Sequence, residues 1–560
     1  MWLRCFVLSV LFYVFFVLGV LTIAIMNGSE IIYYSQLNGY KISSLWRNFY
    51  DKVKDNLLNI FMCIVIIVTM YIVDFQNIYY ELIYLLVTIG VWGWAGNQFE
   101  YIKKIKYTKR AIRQSIVFLI LTIAVSILFC YIHSFYLTIG FPLCFFLNYI
   151  IYFLTIVLLF PIEKLIGTIY LSKAKKKLRK HNKLIKIGIT GSFGKTSVKE
   201  ILNSILSQEY YTLATPKSYN TPFGISKTIN ENLENAHEIF ICEMGAKKRG
   251  EINELCKLVD VDLGIVTAVG RQHLSTFGSV ENIYKTKKEL PDYLYKKLCV
   301  FNLMNFYTSL MYKDFVYQKI GVFILKHRSI SASKFVLKNK QVGLIAKQSR
   351  RAVFCEYSKI NNVYAKNIKA YEAETTFDLN YNGKFVCSVS TTLLGVHNVI
   401  NILLASALAI VLNVSSLNIA RGVKNLKSIN ARLEKRQNEN GAIIINNGYN
   451  SNIDSAPYAL GVLKLFDVKN KVVVTPGLIE CKDDYKCNYE FGKLIAKHAT
   501  EVIVVKKKNR QAIVDGLKSQ KFASQKIHTV DSFESVREVL NKSTKDYVFL
   551  IENDLPDNFR

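Results

Sequence analysis

The stretch KIGITGSFGKTSVKEIL, residues 186–202, joins a β-branched run, a glycine-containing loop and a helical pattern in that order. Gly191 and Gly194 allow a tight turn and let backbone N–H groups point at phosphate oxygens. Lys195 is placed to reach the β- and γ-phosphates of a nucleotide, and Thr196 to hold Mg²⁺. The first glycine of the strict pattern G-x-x-x-x-G-K-[ST] is missing. The stretch therefore predicts a nucleotide site of variant form and leaves the reaction open.

The sequence on the C-terminal side of this loop repeats the same alternation of strand, loop and helix. Short β-branched runs such as EIFICEM, DLGIVTAV, KVVVTPG and DYVFLIE alternate with lysine-rich helical segments, which is typical of a parallel α/β fold. Residues 363–394 instead alternate with a period of two, and Asn382–Gly383 is a hairpin signal. We predict a central P-loop ATPase domain with a β-hairpin insertion over residues 184–425, and a Rossmann-like C-terminal domain over residues 430–560.

The N-terminal third has a different character. Hydrophobic residues make up 51% of the chain, and they concentrate before residue 161. Five apolar stretches there approach the roughly 17–25 residues that a helix needs to cross a bilayer. They are Cys5–Met26, Leu57–Val73, Tyr79–Trp94, Ile116–Tyr131 and Ile139–Phe160. We predict a transmembrane α-helical domain of about five helices over residues 1–170.

Basic residues predict how that domain is oriented. Residues 101–113 and 173–183 are rich in Lys and Arg, whereas the loops 74–78 and 133–137 contain none. The positive-inside rule then places the N-terminus outside, and residues 101–113 and everything after residue 161 in the cytoplasm. This predicts a multi-pass protein of the cytoplasmic membrane, in contact with membrane lipids. The net charge of +30 fits anionic lipid or anionic substrates, and no nucleic-acid module is present.

The eleven cysteines are scattered and include no C-x-x-C motif. Cys481 and Cys487 are the closest pair, and their spacing fits no standard zinc pattern. We expect reduced thiols rather than a disulfide framework or a zinc site.

Six blocks, in order from Leu184 to about Asp554, resemble the Mur ligases, most closely the branch that adds D-alanyl-D-alanine. The phosphate loop has that family's form T-G-[ST]-x-G-K-[ST]. The blocks that follow read TPKSYNTPFGI, CEMGAKKRGEI, GIVTAVGRQHLSTFGSVENIYKTKKEL, LLGVHNVINILLASALA, and INARLEKR with INNGYNSNIDS. No single block is decisive, but six in the same order are specific.

The resemblance implies a role for each matching residue. Catalytic roles fall on Lys195, Lys287 and Arg432, and a substrate contact falls on Asn220. The implied metal ligands are Thr196, Glu243, His273 and Lys287, the last as a carbamylated lysine. The implied nucleotide contacts are Thr190, Gly191, Ser192, Gly194, Lys195, Thr196, Ser197, Asn401, Arg432, Asn447 and Asn450.

The resemblance also implies the reaction, which is ATP-dependent amide formation with two Mg²⁺ ions. A carboxylate takes the γ-phosphoryl group of ATP, and an amine attacks the resulting acyl phosphate. Such chemistry needs cations that spread the charge on the transferred group. We expect the acid to be a cell-envelope precursor, with a lipid-linked form as one option, and the amine to be an amino acid or dipeptide.

Three departures from the family leave the substrates open. Membrane helices replace the N-terminal UDP-sugar domain, Asn447 stands where an aspartate is usual, and the last blocks read VVVTPGLIE and IENDLPDNF. Asparagine can still accept a hydrogen bond but carries no charge. The alternatives within the class are a D-alanyl-D-alanine-adding ligase of peptidoglycan synthesis with an altered front end and a poly-γ-glutamate-type ligase. A transport-coupled ATPase and an inactive binding module are the alternatives outside it.

Overall fold

The computed structural model describes residues 25, 28–36, 40, 46, 50, 54, 107–132, 134–325, 362–426, 428–449, 451–479, 481, 483–505 and 508–553. Its contacts separate a unit that ends at Thr168 from a unit over Ile169–Asp554. The second unit holds both β-sheets.

Two long apolar helices, α1 (Lys109–Ile132) and α2 (Ser134–Lys180), dominate the described part of the first unit. Within them, Lys109–Leu128 and Leu147–Lys180 are the two described segments long and apolar enough to cross a membrane. They overlap the fourth and fifth predicted stretches. Apart from Ile25, the first three predicted stretches lie outside the described residues. The five-span domain therefore remains a prediction.

Polar side chains in this unit pair between α1 and α2. The Arg113 guanidinium donates to Glu163 Oε1 from Nε at 2.9 Å and from Nη2 at 2.7 Å, and Arg110 Nε lies 3.6 Å from Oε2. Tyr152 donates to Gln114 at 3.1 Å. These pairs satisfy polar groups on otherwise apolar helices.

The basic run at residues 172–183 looks like a linker in sequence, but it is helical as far as Lys180. Alanine, leucine, lysine and arginine are all good helix formers, and Ala174 and Leu178 are buried against the second unit's core. The helix therefore continues to within five residues of the first strand.

The larger sheet of the second unit has nine strands in the order β2-β3-β1-β4-β5-β6-β7-β8-β9. Pairing is parallel from β2 to β7 and antiparallel from β7 to β9. The strands are β1 (Ile185–Thr190), β2 (Thr212–Ala214), β3 (Ile239–Glu243), β4 (Leu263–Val266), β5 (Leu298–Asn302), β6 (Lys319–Ile324), β7 (Asn362–Ala370), β8 (Thr375–Tyr381) and β9 (Lys384–Thr391).

Helices cover this sheet on both faces, and each face has its own apolar core. The helices are α3 (Lys195–Leu206), α4 (Pro222–Asn232), α5 (Glu251–Val259), α6 (Leu274–Phe277), α7 (Val280–Tyr293), α8 (Phe306–Asp314), α9 (Val396–Val411) and α10 (Ser416–Asn425). Helices α3, α9 and α10 contribute to one core, and α4, α5 and α7 to the other. Continuous apolar strands such as β3, buried along its whole length, fit this two-sided burial.

The predicted hairpin is confirmed between β8 and β9. Asn382 has a φ of 52° and Gly383 a φ of 78°, the positive values that a type I′ turn requires. The three-stranded meander β7–β9 adds to the edge of the parallel sheet, so the insertion predicted from the two-residue period extends the sheet.

The smaller sheet has six strands in the order β10-β11-β15-β12-β13-β14, and all pairs except β10–β11 are parallel. Its strands are β10 (Glu434–Gln437), β11 (Ile443–Asn447), β12 (Asn470–Thr475), β13 (Glu501–Val505), β14 (Ile527–Val530) and β15 (Tyr547–Glu552). Its helices are α11 (Ala456–Val462), α12 (Asp484–Ile495), α13 (Arg510–Lys518) and α14 (Phe533–Lys542). The predicted α/β class therefore holds in both segments, with mixed sheets.

The expectation of reduced thiols is wrong for Cys481 and Cys487, which the structure joins in a disulfide. Helix α12 begins at Asp484 and carries Cys487 back to a Cα–Cα distance of 6.4 Å from Cys481. Sequence spacing alone does not reveal this return. Among the described residues, Cys242, Cys256, Cys299 and Cys387 are free thiols, as expected.

Candidate active site

The phosphate loop connects β1 to α3, and its two glycines have specific structural roles. Gly191 has a φ of 150°, and a Cβ there would lie 2.0 Å from Thr267 Oγ1. Gly194 caps α3 with a φ of 83°, and a Cβ there would lie 2.9 Å from Asn401 Oδ1. A side chain at either position would therefore displace its neighbours, so glycine is required.

Lys195 folds over this loop. Its Nζ donates to the carbonyl oxygens of Gly191 at 2.7 Å and Ser192 at 3.1 Å. Burial lowers the pKa of Lys195 to about 8; nearby Glu243 opposes this shift and Arg432 adds to it. The loop thus holds a cation at the position where the sequence predicts phosphate contacts.

The Glu243 carboxylate is the centre of the site. It stands at the end of β3, beside β1, and is 1% exposed. Thr196 Oγ1 donates to Oε2 at 2.9 Å, and Asn220 Nδ2 donates to Oε1 at 3.1 Å. Three residues predicted separately, as nucleotide, metal and substrate contacts, therefore meet at one carboxylate, where open α/β sheets place their ligands.

A buried lysine that the sequence analysis did not single out lies below this carboxylate. Lys199 is fully buried, and its Nζ donates to the carbonyl oxygens of Thr215 and Lys217, both at 2.6 Å. It also lies 3.0 Å from Glu200 Oε1 and 3.9 Å from Glu243 Oε2. Lys199 thereby fastens the loop that carries Asn220 to the helix that carries Thr196. The sequence contains one sign of this burial. Lys199 precedes Leu202 by three residues and Leu206 by seven, which places it on the apolar face of α3.

Lys287 on α7 is also buried, with 3% exposure. Burial lowers its pKa to about 7, the Lys195 charge acts in the same direction, and Glu289 and Glu251 oppose the shift. Its Nζ lies 6.0 Å from the centre of the Phe277 ring. A large part of its population is therefore the neutral amine at neutral pH.

The two neighbouring lysines are different. Lys285 pairs with Glu281 at 2.7 Å, and Lys288 pairs with Asp314 at 3.5 Å. Both pairs are on the surface, where an ion pair contributes little to stability. Among these three lysines, the structure buries the one that the family resemblance selected.

The remaining loop positions have mixed environments. Thr190 Oγ1 donates to the Met244 carbonyl oxygen at 3.2 Å, and Ser192 Oγ donates to that of Gly270 at 3.2 Å. Ser197 is buried in α3, so its hydroxyl belongs to the helix interior. His273 is the N-cap of α6 and has a φ of 52°, a left-handed conformation that is uncommon outside glycine.

Arg432 reaches the site from the segment before β10. Its Nη1 donates to the Tyr449 carbonyl oxygen at 2.7 Å, and its guanidinium lies 4.6 Å from the centre of the Tyr449 ring. Ala431 and Leu433 on either side have φ values of 52° and 54°. Positive φ values raise the conformational energy of both residues, so the backbone around this arginine is held in a strained form.

The asparagines predicted to contact nucleotide are spread over two places. Asn401 lies against the phosphate loop at Gly194, and its Nδ2 donates to Asn398 Oδ1 at 3.0 Å. Asn447 turns to the neighbouring strand, where its Nδ2 donates to Glu552 Oε2 at 2.8 Å. Asn450 lies outside the described residues.

The donors fit a magnesium ion that keeps phosphate and water ligands. Thr196 and Glu243 supply two hard oxygens 2.9 Å apart, the donor type that Mg²⁺ prefers. Among the described residues, no group of three or more His, Cys, Asp or Glu side chains could hold a metal by itself. Mg²⁺ usually binds through one or two carboxylates plus substrate phosphates, so the sparse set is compatible with it.

One ion pair joins the segments of the two sheets beside this site. The Arg271 guanidinium donates to Asp454 Oδ1 from Nε at 2.9 Å and from Nη2 at 2.5 Å, and the Arg271 backbone N donates to Oδ2 at 2.6 Å. Neither residue stands out in the sequence, because they are 183 positions apart.

Part of this chain is similar in sequence to known proteins. Residues 189–409 match the Mur ligase middle domain. The UDP-N-acetylmuramoyl-tripeptide–D-alanyl-D-alanine ligase of Buchnera aphidicola is 28% identical over 305 residues, or 54% of this chain and 60% of that protein. The Bacillus subtilis ligase of the same name is 25% identical over 301 residues, or 53% of this chain and 57% of its own length. The chain thus spans about 60% of the length of these relatives.

Solved structures show the same fold. MurF from Acinetobacter baumannii superposes with a TM-score of 0.56 at 20% identity, covering 69% of this chain and 77% of that one. MurF from Thermotoga maritima, solved with ADP, gives 0.54 at 20% identity, covering 69% and 80%. The chain therefore shares its fold with these structures, and its residues 189–409 match the Mur ligase middle domain.

Proposed function

We propose that this chain is an ATP-dependent, ADP-forming ligase of peptidoglycan synthesis that joins a dipeptide amine to a carboxylate of a muramoyl-peptide precursor. The observation that carries the proposal is the carboxylate of Glu243, hydrogen-bonded to both Thr196 and Asn220 beside the buried cation Lys195. In this proposal Thr196 and Glu243 bind the metal, Lys195 contacts phosphate and Asn220 faces the substrate, and the contacts around Glu243 support it by bringing Thr196 and Asn220 to one carboxylate.

The reaction runs in two balanced steps. The precursor carboxylate attacks the γ-phosphorus of ATP, the bond to ADP breaks, and an acyl phosphate forms. The amine then attacks the acyl carbon, inorganic phosphate leaves, and the amine loses its proton as the amide forms. Lys195 and Arg432 stabilise the charge on the transferred phosphoryl group, since charge stabilisation dominates such transfers.

Mg²⁺ bound at Thr196 and Glu243 would neutralise charge on the β- and γ-phosphates. We assign Lys287 as the lysine that reacts with CO₂, because burial gives it the neutral amine that carbamylation needs. Asn220 shares Glu243 with Thr196, so substrate and nucleotide contacts are fixed relative to one another.

The identity of the amine rests on the relatives. The two described above are named for D-alanyl-D-alanine, which favours that dipeptide over a free amino acid. The sequence alone left the amine substrate undetermined, because the last blocks of the chain depart from the family pattern. We also propose that residues 1–170 attach the ligase to the membrane.

Exposed apolar side chains support this attachment. Ile116, Ile120 and Ile127 of α1 are each more than half exposed, as are Leu158 and Phe160 of α2. Helices of this length with apolar surfaces are stable in lipid, whereas in water such patches mark interaction sites.

The test uses the full chain in detergent with ATP, Mg²⁺ and UDP-N-acetylmuramoyl-tripeptide. We expect D-alanyl-D-alanine to trigger equimolar release of ADP and phosphate and a product with the mass of the added dipeptide. Lys195→Ala should lose both signals, and the surface variant Lys285→Ala should keep them. ADP release that ignores every amine would overturn the proposal, as would ligation of glutamate alone or ligation of a lipid-linked acid alone.

A further inference from the structure

A single carboxylate accepts hydrogen bonds from the last residue of β11 and from a residue in the segment between β11 and α11. Glu552, at the end of β15, is fully buried, and Asn447 Nδ2 donates to its Oε2 at 2.8 Å. Ser451 Oγ donates to its other oxygen, Oε1. Strand order explains the contact, since β15 lies beside β11 and pairs Glu552 with Asn447. Residues 447 and 451 are thus anchored on one side chain.

The anchored loop carries the residue that holds Arg432. The Tyr449 carbonyl accepts from Arg432 Nη1 at 2.7 Å, and the Tyr449 ring faces its guanidinium. The Tyr449 hydroxyl also donates to Ser218 Oγ at 2.8 Å, in the loop that carries Asn220. Arg432 is near enough to Lys195 to help lower its pKa. Glu552 therefore anchors residues on both sides of Tyr449, Tyr449 contacts Arg432, and the Arg432 charge acts on Lys195 of the phosphate loop.

We propose that Glu552 is a positioning residue: it anchors Asn447 and Ser451, and through Tyr449, which lies between them in the sequence, it fixes Arg432 in the nucleotide site. It also supplies, from β15, the carboxylate that Asn447 lacks on β11. The inference rests on the proposed function only in giving Arg432 a phosphate to bind. Burying an acid costs free energy unless its oxygens accept hydrogen bonds, and both oxygens of Glu552 accept them, one from Asn447 and one from Ser451.

The first measurement is the affinity of the full chain for a non-hydrolysable ATP analogue with Mg²⁺. We expect Arg432→Ala and Glu552→Gln each to weaken binding about tenfold, the scale of one lost charge-assisted contact. Because both act through the same contact, Arg432→Ala combined with Glu552→Gln should weaken it no further. The control Glu538→Gln removes an exposed carboxylate from α14 in the same segment and should bind as wild type.

The second measurement is a rescue. Asn447→Asp alone places two buried carboxylates together and should weaken binding. In Asn447→Asp with Glu552→Gln, the new glutamine amide can donate to the new aspartate while its oxygen accepts from Ser451. The hydrogen bonds are then complete with the charge moved to β11, so affinity should return to within about threefold of wild type.

Each outcome decides between a positioning role and a purely structural one. Three results would each overturn the proposal. The first is wild-type affinity in Glu552→Gln, and the second is additive losses of affinity when Glu552→Gln is combined with Arg432→Ala. The third is the absence of rescue in an Asn447→Asp, Glu552→Gln double variant that unfolds at the same urea concentration as the wild type. If Glu552→Gln does not fold, Ser451→Ala removes one of the two anchoring bonds and should give a smaller loss that again vanishes in the Arg432→Ala background. Nucleotide binding does not require turnover, so an inactive wild type would refute the proposed function and leave this test intact.

Discussion

Arg271 and Asp454 form three hydrogen bonds, two of them from the guanidinium at 2.9 and 2.5 Å and one from the Arg271 backbone at 2.6 Å. The pair connects the loop after β4 to the loop before α11, at the edge of the nucleotide site. Both side chains are partly exposed, so the contact can break and re-form without burying a lone charge.

This pair should couple the two sheet segments. We expect Arg271→Ala or Asp454→Ala to lower kcat/KM about fivefold, equivalent to about 1 kcal/mol for a partly exposed pair. The double variant should be no worse than either single one. The measurement is steady-state phosphate release at low and high salt. Salt screens the ion pair, so high salt should lower the kcat/KM of the wild type toward that of the variants. Independent, additive losses would show that the ion pair does not act as a unit.

Lys195→Ala should lower the rate of ADP formation by on the order of 100-fold or more, since it removes a preorganised cation from the transition state. The substitution removes the two hydrogen bonds that Lys195 Nζ donates to the loop and leaves both glycines in place, so the loop backbone should remain folded. Single-turnover kinetics separate the chemical step from binding. A near-normal rate would mean that the loop binds nucleotide without catalysing its cleavage.

Lys287→Ala should be nearly inactive, and Lys287→Arg should not restore activity because a guanidinium cannot become a carbamate. Small carboxylic acids in the buffer should recover part of the activity of Lys287→Ala by supplying oxygens at the vacated place. Lys285→Ala and Lys288→Ala are the matched controls and should be mild, since both lysines make only surface ion pairs. If Lys285→Ala lost activity while Lys287→Ala kept it, the assignment of the carbamylated lysine to Lys287 would be wrong.

Glu552 should make stability depend on pH. Burial raises its pKa from 4.5 to about 7. Between these values the folded protein holds a proton that the unfolded chain releases, so the free energy of unfolding falls as pH rises from 4.5 to 7. Glu552→Gln should flatten that slope by about 1.4 kcal/mol per pH unit within the window, as read from urea midpoints. Glu538→Gln should keep the wild-type slope, and an unchanged slope in Glu552→Gln would contradict the assignment.

The membrane orientation can be tested at residue 175, which follows the apolar part of α2. A cysteine introduced by Lys175→Cys should add no labelling by an impermeant maleimide in intact cells and should label after permeabilisation. The parent protein corrects for its native cysteines. Labelling of residue 175 in intact cells would place the ligase domain outside the cell, where ATP is not supplied, and would contradict the predicted orientation.

Local sequence patterns predicted the phosphate loop, Glu243 at the end of its strand and the β8–β9 hairpin, because each is determined by neighbours within a few residues. Glu552 escaped detection because its partner Asn447 is 105 positions away and meets it through the order of strands. Lys199 is hidden for a different reason: an isolated lysine in a helix is normally at the surface, and only the two carbonyl oxygens it reaches make its burial tolerable.

The disulfide shows the same limit. A separation of six residues does not say whether the chain between two cysteines extends or turns back, and here the start of α12 decides it. The folded chain supplies what composition omits: which distant groups share a strand edge, and which charges are removed from water.

The low pKa values of Lys195 and Lys287 also affect how the protein reacts with electrophiles. In a chain with 72 lysines and arginines, these two amines are deprotonated far more readily at neutral pH than a solvated lysine. An aryl sulfonyl fluoride or activated ester attached to an adenosine scaffold would therefore be directed to them by chemistry as well as by fit. Under the proposed carbamylation of Lys287, bicarbonate would compete at that residue and not at Lys195, so its protective effect would distinguish the two sites of acylation and guide the design of covalent inhibitors.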